Sequence, residues 1–185
     1  MEKVLEWQAQ GYPRKQAQND FPFLAQNPQT DLEKVMAKIE QVLAKEREFW
    51  HVKSYQYNRA ILEVPEKQVI DEIKARWQLP AVYLTFLERF SPADDAFLKG
   101  INLYGANTLI TNQCGYAFSS PDDELFPDWK AHWLVIADKD ADPYILDLSK
   151  SDGNDAPIYK APHGAGQWKW RKVAGSFLEF LEKLS

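Results

Sequence analysis

Apolar residues recur at helical spacing through the first half of the chain and in short runs or alternations through the second. Leu32, Val35, Met36, Ile39, Val42 and Leu43 follow a three-and-four period behind Thr30-Asp31-Leu32-Glu33. That tetrad is a capping box, in which the Thr side chain takes the N–H three residues on and the Glu returns to the cap. The pattern predicts an amphipathic helix over 31–49, with Lys34, Lys38, Lys45 and Arg47 at other positions. Pro65 suits the first turn of a second helix, whose apolar stripe is Val69, Ile70, Ile73 and Trp77. Pro80 opens a third, with Tyr83, Phe86, Leu87 and Phe90 on one face, and Ser91-Pro92 ends it. A second capping box, Ser176-Phe177-Leu178-Glu179, starts a closing helix with Phe177, Phe180, Leu181 and Leu184 inward.

From residue 96 the period changes. Trp133-Leu134-Val135-Ile136-Ala137 is an unbroken, β-branched apolar run, the signature of a strand buried on both faces. Asp138 to Pro143 has the composition of a turn, and Tyr144 to Asp147 reads as the returning strand. The result is a central hairpin whose tip carries Asp138, Asp140 and Asp142. Phe97-Leu98, Ile101 to Tyr104, Pro157 to Tyr159 and Trp168 to Val173 read as further strands, punctuated by Gly100, Gly105, Gly153, Gly164 and Gly166. Helices first, then a meander of strands, then one helix specify an α+β fold. It has N-terminal helices, a mostly antiparallel central sheet and a closing C-terminal helix, not alternating βαβ units. Residues 1–30, Gln-rich and broken by Gly11, Pro13, Pro22 and Pro28, form an N-terminal arm; residues 31–185 form a single domain. Residues 51–64, with Tyr55 and Tyr57, read as a linker or a short strand.

At 185 residues one domain is the default. The single cysteine, Cys114, excludes an internal disulfide and fits a reducing compartment. No apolar run approaches the ~20 residues that span a bilayer, and the first residues lack the basic-then-apolar order of a signal peptide. The expected location is therefore the cytoplasm, with no membrane partner. The net charge of −5 is unevenly spread. Residues 120–155 carry ten acids against three bases, a local charge of −7, so the rest of the chain is +2.

Few of these residues stand in a catalytic pattern. Asp138, Asp140 and Asp142 match the first ligand positions of a calcium loop, but Pro143 falls where glycine is needed and Ser149 where a bidentate Glu is needed. His163-Gly164-Ala165-Gly166 lacks the spacing of a phosphate-binding loop and precedes a strand, not a helix. No serine lies in a G-x-S-x-G frame, and His51, His132 and His163 are not spaced as zinc ligands. Neither metal nor cofactor is expected, and no catalytic residue is assigned. Paired carboxylates for glycoside cleavage stay open, because acids are abundant.

Trp168-Lys169-Trp170-Arg171-Lys172 alternates aromatic and basic residues, which would suit stacked bases and phosphates. A pI near 5.3 and the lack of a broad basic face favour a half-buried edge strand and no nucleic-acid partner. In the loop Asp122 to Trp129, Leu125, Phe126 and Trp129 are interleaved with Asp122, Asp123, Glu124 and Asp128. Aromatic anchors in a charged rim are the make-up of an interface. Aromatics docked on the core beneath solvated acids would give the same sequence.

Five segments in order resemble one family: LPAVYLTFLERF (79–90), INLYGANTLI (101–110), WLVIADKDADPYILDLS (133–149), PIYKAPHG (157–164) and VAGSFLEFLEKL (173–184). Together they resemble the SUKH superfamily, and more narrowly its Smi/Knr-type branch, over about residues 65–184. Two departures stand out. Ser91-Pro92-Ala93-Asp94 replaces a common Asn-Gly, and Ala141 replaces a glycine in the turn after the central strand. The resemblance implies a non-enzymatic binding protein. Bacterial members of this kind act largely as immunity proteins that neutralise a toxin, often a nuclease; eukaryotic ones act as interaction scaffolds. Joined to the charge distribution, it points to a basic toxin domain as the protein partner. The candidate contact residues are Asp122, Asp123, Glu124, Phe126, Asp128, Trp129, Asp138, Asp140 and Asp142. The alternatives are a hydrolase or carbohydrate-binding protein using Trp and carboxylates, and a housekeeping scaffold with no toxin.

Overall fold

The computed structural model describes residues 27–53, 60–164 and 166–185. The arm assigned to residues 1–30 lies outside them up to residue 26, as do Tyr55 and Tyr57. Helix α1 (Asp31–Lys53) begins at the predicted capping box. The Glu33 N–H donates to Thr30 Oγ1 at 3.2 Å, and the Thr30 N–H donates to Glu33 Oε2 at 3.0 Å. The helix runs four residues beyond the predicted end at 49. Strand β1 (Leu62–Glu63) pairs antiparallel with β2 (Ser91–Pro92). Helix α2 (Lys67–Arg76) starts later than expected: Pro65 lies ahead of an extended cap at Glu66, outside the first turn. Helix α3 (Ala81–Phe90) has Pro80 as its cap and stops at Ser91, where the following proline disfavours helical backbone.

Six strands form an antiparallel meander in which each pairs with the next. They are β3 (Asp95–Leu98), β4 (Ile101–Tyr104), β5 (Trp133–Lys139), β6 (Asp142–Asp147), β7 (Ile158–Lys160) and β8 (Arg171–Ala174). The central β5–β6 turn is tighter than its composition suggested. Strand pairing continues to Lys139↔Asp142, leaving Asp140 (φ 53°) and Ala141 (φ 65°) as a two-residue turn. Left-handed backbone at both positions is the type I′ arrangement, whose twist matches that of the flanking strands. Pro143 therefore stands inside β6, opposite Asp138. The strand expected over Trp168 to Val173 is shorter and shifted, because its partner β7 is only three residues long between Pro157 and Pro162. A proline supplies no N–H to a ladder, so pairing ends there. Trp168 and Trp170 precede β8 in irregular backbone.

Strand β5 is buried on both faces, with Leu134, Val135, Ile136 and Ala137 all at 0% exposure. A bulge at Ile136 shifts its register. Helix α5 (Phe177–Leu184) packs with α1 and α3. Phe177 meets the rings of Tyr83 and Phe86 at 4.8 and 5.0 Å, and Phe180 meets Tyr144 of β6 at 5.4 Å, which ties the helices to the sheet. After β4 the chain turns into the short helix α4 (Ala106–Leu109) through Gly105. A Cβ at 105 would lie 2.1 Å from the Pro92 carbonyl oxygen and 2.2 Å from that of Asp94, so only glycine fits.

The loop 151–155 closes two helices at once. The N–H groups of Ala81 and Val82 at the start of α3 donate to the carbonyls of Gly153 and Asn154, at 3.1 and 2.9 Å. The Asp155 carboxylate accepts the N–H groups of Phe177 and Leu178 at the start of α5, at 2.8 and 3.2 Å. Among the described residues no helix is long and apolar enough to cross a membrane.

Candidate functional site

The acidic–aromatic segment lies between α4 and β5, and its backbone is pinned along its length. Arg76, at the end of α2, donates through Nη1 to the Pro121 carbonyl at 2.8 Å. The Phe126 N–H reaches the Ala117 carbonyl at 2.7 Å, and the Trp129 N–H reaches that of Phe126 at 2.9 Å. The Trp129 indole donates to the Trp133 carbonyl at 3.1 Å, which fixes the segment to the first residue of β5.

This arrangement divides the aromatic residues. Trp129 is docked, with 5% exposure, whereas Leu125 and Phe126 remain 41% and 37% exposed. Around them stand Asp123, Glu124 and Asp128, exposed and without a side-chain hydrogen bond or ion pair among the described residues. Asp122 approaches Arg76 at 3.9 Å with its own side chain 95% exposed.

Beneath the loop four indoles meet. Trp129 contacts Trp133, Trp168 and Trp170 edge-on at 5.6, 5.4 and 5.9 Å, and Trp168 stacks on Trp170 at 5.4 Å. Each such pair adds about 0.5–1.5 kcal/mol beyond its burial. Their mutual packing anchors the loop and brings residues from three separate segments to one place. Between this cluster and the end of α2 runs a shallow cleft lined by Arg76, Trp77, Asp123, Leu125, Trp129 and Trp133, among others. The sequence reading passed over Arg76 and Trp77 as parts of a site. The sequence placed Trp77 in the apolar stripe of the second helix; the helix ends at Arg76 and leaves Trp77 just past it.

The same aromatic cluster extends to the hairpin tip. Trp168 contacts Tyr116 at 6.5 Å, and the Tyr116 hydroxyl donates to the Ala141 carbonyl at 3.0 Å. The tip carboxylates have different settings. Asp138 accepts from the Tyr104 hydroxyl at 3.0 Å and from Asn102 Nδ2 at 3.3 Å. Burial, reinforced by that carboxylate, pushes the Tyr104 hydroxyl far above the usual tyrosine range. Burial likewise pushes Tyr116 up to about 12. Asp142 accepts the His163 N–H at 2.9 Å and pairs with Lys160 at 3.1 Å, and these two partners hold its carboxyl below the ordinary value. Asp140 is exposed and has no side-chain partner among the described residues.

Two carboxylates, Asp95 and Asp138, are bridged by Asn102 Nδ2 at 3.2 and 3.3 Å. Asp95 also accepts from Thr108 at 2.6 Å and Asn112 at 3.1 Å, so its lone pairs serve the fold. Among the described residues no group of three His, Cys, Asp or Glu side chains is placed to hold a metal. The geometry offers an apolar, acid-rimmed protrusion beside a cleft, which is the equipment of a binding surface.

A family model described as SMI1 / KNR4 family (SUKH-1) matches residues 65–183. No curated protein and no solved structure matches the chain.

Proposed function

The chain belongs to the SMI1 / KNR4 family (SUKH-1), and on that premise we propose that it is a non-enzymatic immunity protein that binds and neutralises a basic toxin domain. Members of the superfamily commonly bind protein partners, toxins among them. The observation that supports this reading is the segment 122–128. Leu125 and Phe126 are held out to solvent on a pinned loop, and the carboxylates of Asp123, Glu124 and Asp128 around them have no partner among the described residues.

Magnitudes assign the parts different work. Burying what remains exposed of Leu125 and Phe126 contributes on the order of 1 kcal/mol each. A solvated rim charge adds a few tenths to about 1 kcal/mol in a pair, but a group of like charges steers an oppositely charged partner and speeds encounter. The acids therefore act chiefly on association and the apolar pair on dissociation. A nuclease toxin carries basic surface where it holds nucleic acid, and a carboxylate-rimmed inhibitor competes for that surface. Sugar binding on the tryptophans has less support, because the indole surfaces of Trp168 and Trp170 are largely used on each other and on Trp129.

The test is co-expression with a nuclease toxin domain, taken from beside the gene where one is encoded there. Wild type should protect the host. Reversing Asp123, Glu124 and Asp128 to Lys should slow association and flatten its salt dependence, and Leu125→Ser with Phe126→Ser should speed dissociation. If the triple reversal binds and protects as well as wild type at low salt, the loop is not the interface.

A further inference from the structure

The cleft beside the loop has a chemistry of its own. Trp77 and Trp133 line it and are half-buried, Trp133 with its ring also against Trp170, while Trp129 is a closed wall. The cation among its described lining residues, Arg76, is already engaged with the Pro121 carbonyl at 2.8 Å, Glu72 at 3.5 Å and Asp122 at 3.9 Å. Asp123 stands at the rim without a side-chain partner among the described residues. The charges that line the cleft are thus Arg76, which Glu72 and Asp122 already offset from outside it, and Asp123, so the charge left unpaired there is negative.

We propose that this cleft takes a single arginine side chain from the protein partner, with its stem against Trp77 and Trp133 and its guanidinium on the Asp123 carboxylate. The proposal rests on the protein-binding reading above and names the group that reading leaves open. An acidic occupant meets the unpaired Asp123 carboxylate and an Arg76 that is already engaged. An apolar one would strip water from Asp123 and give nothing in return. Between the two cations, arginine fits better. Its planar, weakly hydrated guanidinium stacks on indole and forks onto a carboxylate, whereas a lysine ammonium keeps its water and acts as a point charge.

The probe is N-acetyl-arginine methylamide, titrated into the full chain while the indole N–H signals are followed by NMR, with N-acetyl-lysine methylamide as its counterpart. Saturable shifts are expected at Trp77 and Trp133. The lysine compound, and the arginine compound on Asp123→Asn, should each bind roughly fivefold more weakly or worse. Asp123 is exposed and its side chain bonds to none of the described residues, so the variant should fold as wild type, which its melting curve checks. Absence of a saturable shift, an equal response to both compounds, or undiminished binding to Asp123→Asn overturns the proposal. Failure here is distinguishable from failure of the immunity reading. Glu124 and Asp128 lie outside the cleft, and if their reversal to Lys still slows association with the toxin, only the arginine anchor has fallen.

Discussion

The side-chain amide of Gln113 stands in for a strand beside Val135. Its Nε2 donates to the Val135 carbonyl at 2.8 Å, and its Oε1 accepts the Val135 N–H at 2.9 Å. Strand β4 pairs with β5 only at Asn102↔Asp138 and Leu103↔Ala137 before the chain turns away at Gly105. One buried glutamine, 1% exposed, completes the ladder where the backbone has left it. Replacing Gln113 with Leu keeps the volume but removes the partner of three backbone groups, the Val135 N–H and carbonyl and the Leu109 carbonyl, at about 1–3 kcal/mol for each left unsatisfied. A loss of roughly 2–5 kcal/mol is expected from urea unfolding, with little change in slope. A loss below about 1 kcal/mol would mean that the amide is not the ladder's substitute.

Ala141 sits at φ 65°, a conformation that a side chain disfavours by about 1–2 kcal/mol and glycine adopts freely. The greater freedom of glycine in the unfolded chain returns part of that. Ala141→Gly should therefore stabilise the protein by up to about 1 kcal/mol in thermal or urea melts. The Tyr116 hydrogen bond reaches only the backbone of residue 141, so it survives the change. A destabilised variant would show that the turn is not strained.

Tyr83 is fully buried between Phe86 and Phe177, and its hydroxyl has no hydrogen-bond partner among the described residues. A buried polar atom without a partner is destabilising by about 1–3 kcal/mol, partly offset by packing. Tyr83→Phe is expected to be neutral or to gain about 1 kcal/mol. A clear loss on calorimetry would indicate that the hydroxyl is partnered after all.

Asp142 titrates below its ordinary value because the His163 N–H and Lys160 favour the carboxylate. A lowered folded-state value stabilises the fold above the unfolded value, near 3.9 for Asp, and the contribution disappears as pH falls through the lower folded one. Wild type should then melt above Asp142→Asn at neutral pH, and the gap should close with acidification through that window. A gap independent of pH would assign the effect to packing instead of charge.

Much of the helical layer was legible because each signal was local. The reciprocal bonds of Thr30 and Glu33, and the burial of Tyr83, Phe86, Leu87 and Phe90, follow from spacing alone. The central hairpin was legible for the same reason, apart from its tip, where strand twist selects a shorter turn than composition suggests. Gln113 was not, since a buried glutamine and a loop glutamine look alike until the backbone it serves is in place. Nor were the cleft and the tryptophan cluster, whose members lie far apart in the chain. Trp168 and Trp170 were assigned to a strand on alternation, yet β7 ends at Lys160, two residues before Pro162, and leaves them without a partner strand.

The loop 151–155 has a consequence for motion. Because it caps α3 through the carbonyls of Gly153 and Asn154 and α5 through the Asp155 carboxylate, releasing it frays both helices together. Their slowest-exchanging amides should open as one cooperative unit, although the two helices lie far apart in the chain. Native-state hydrogen exchange should report a common opening free energy for both, and Asp155→Ala should lower both by the same amount. A change confined to α5 would show that the two helices open independently, and that closing two helix ends with one loop does not couple them.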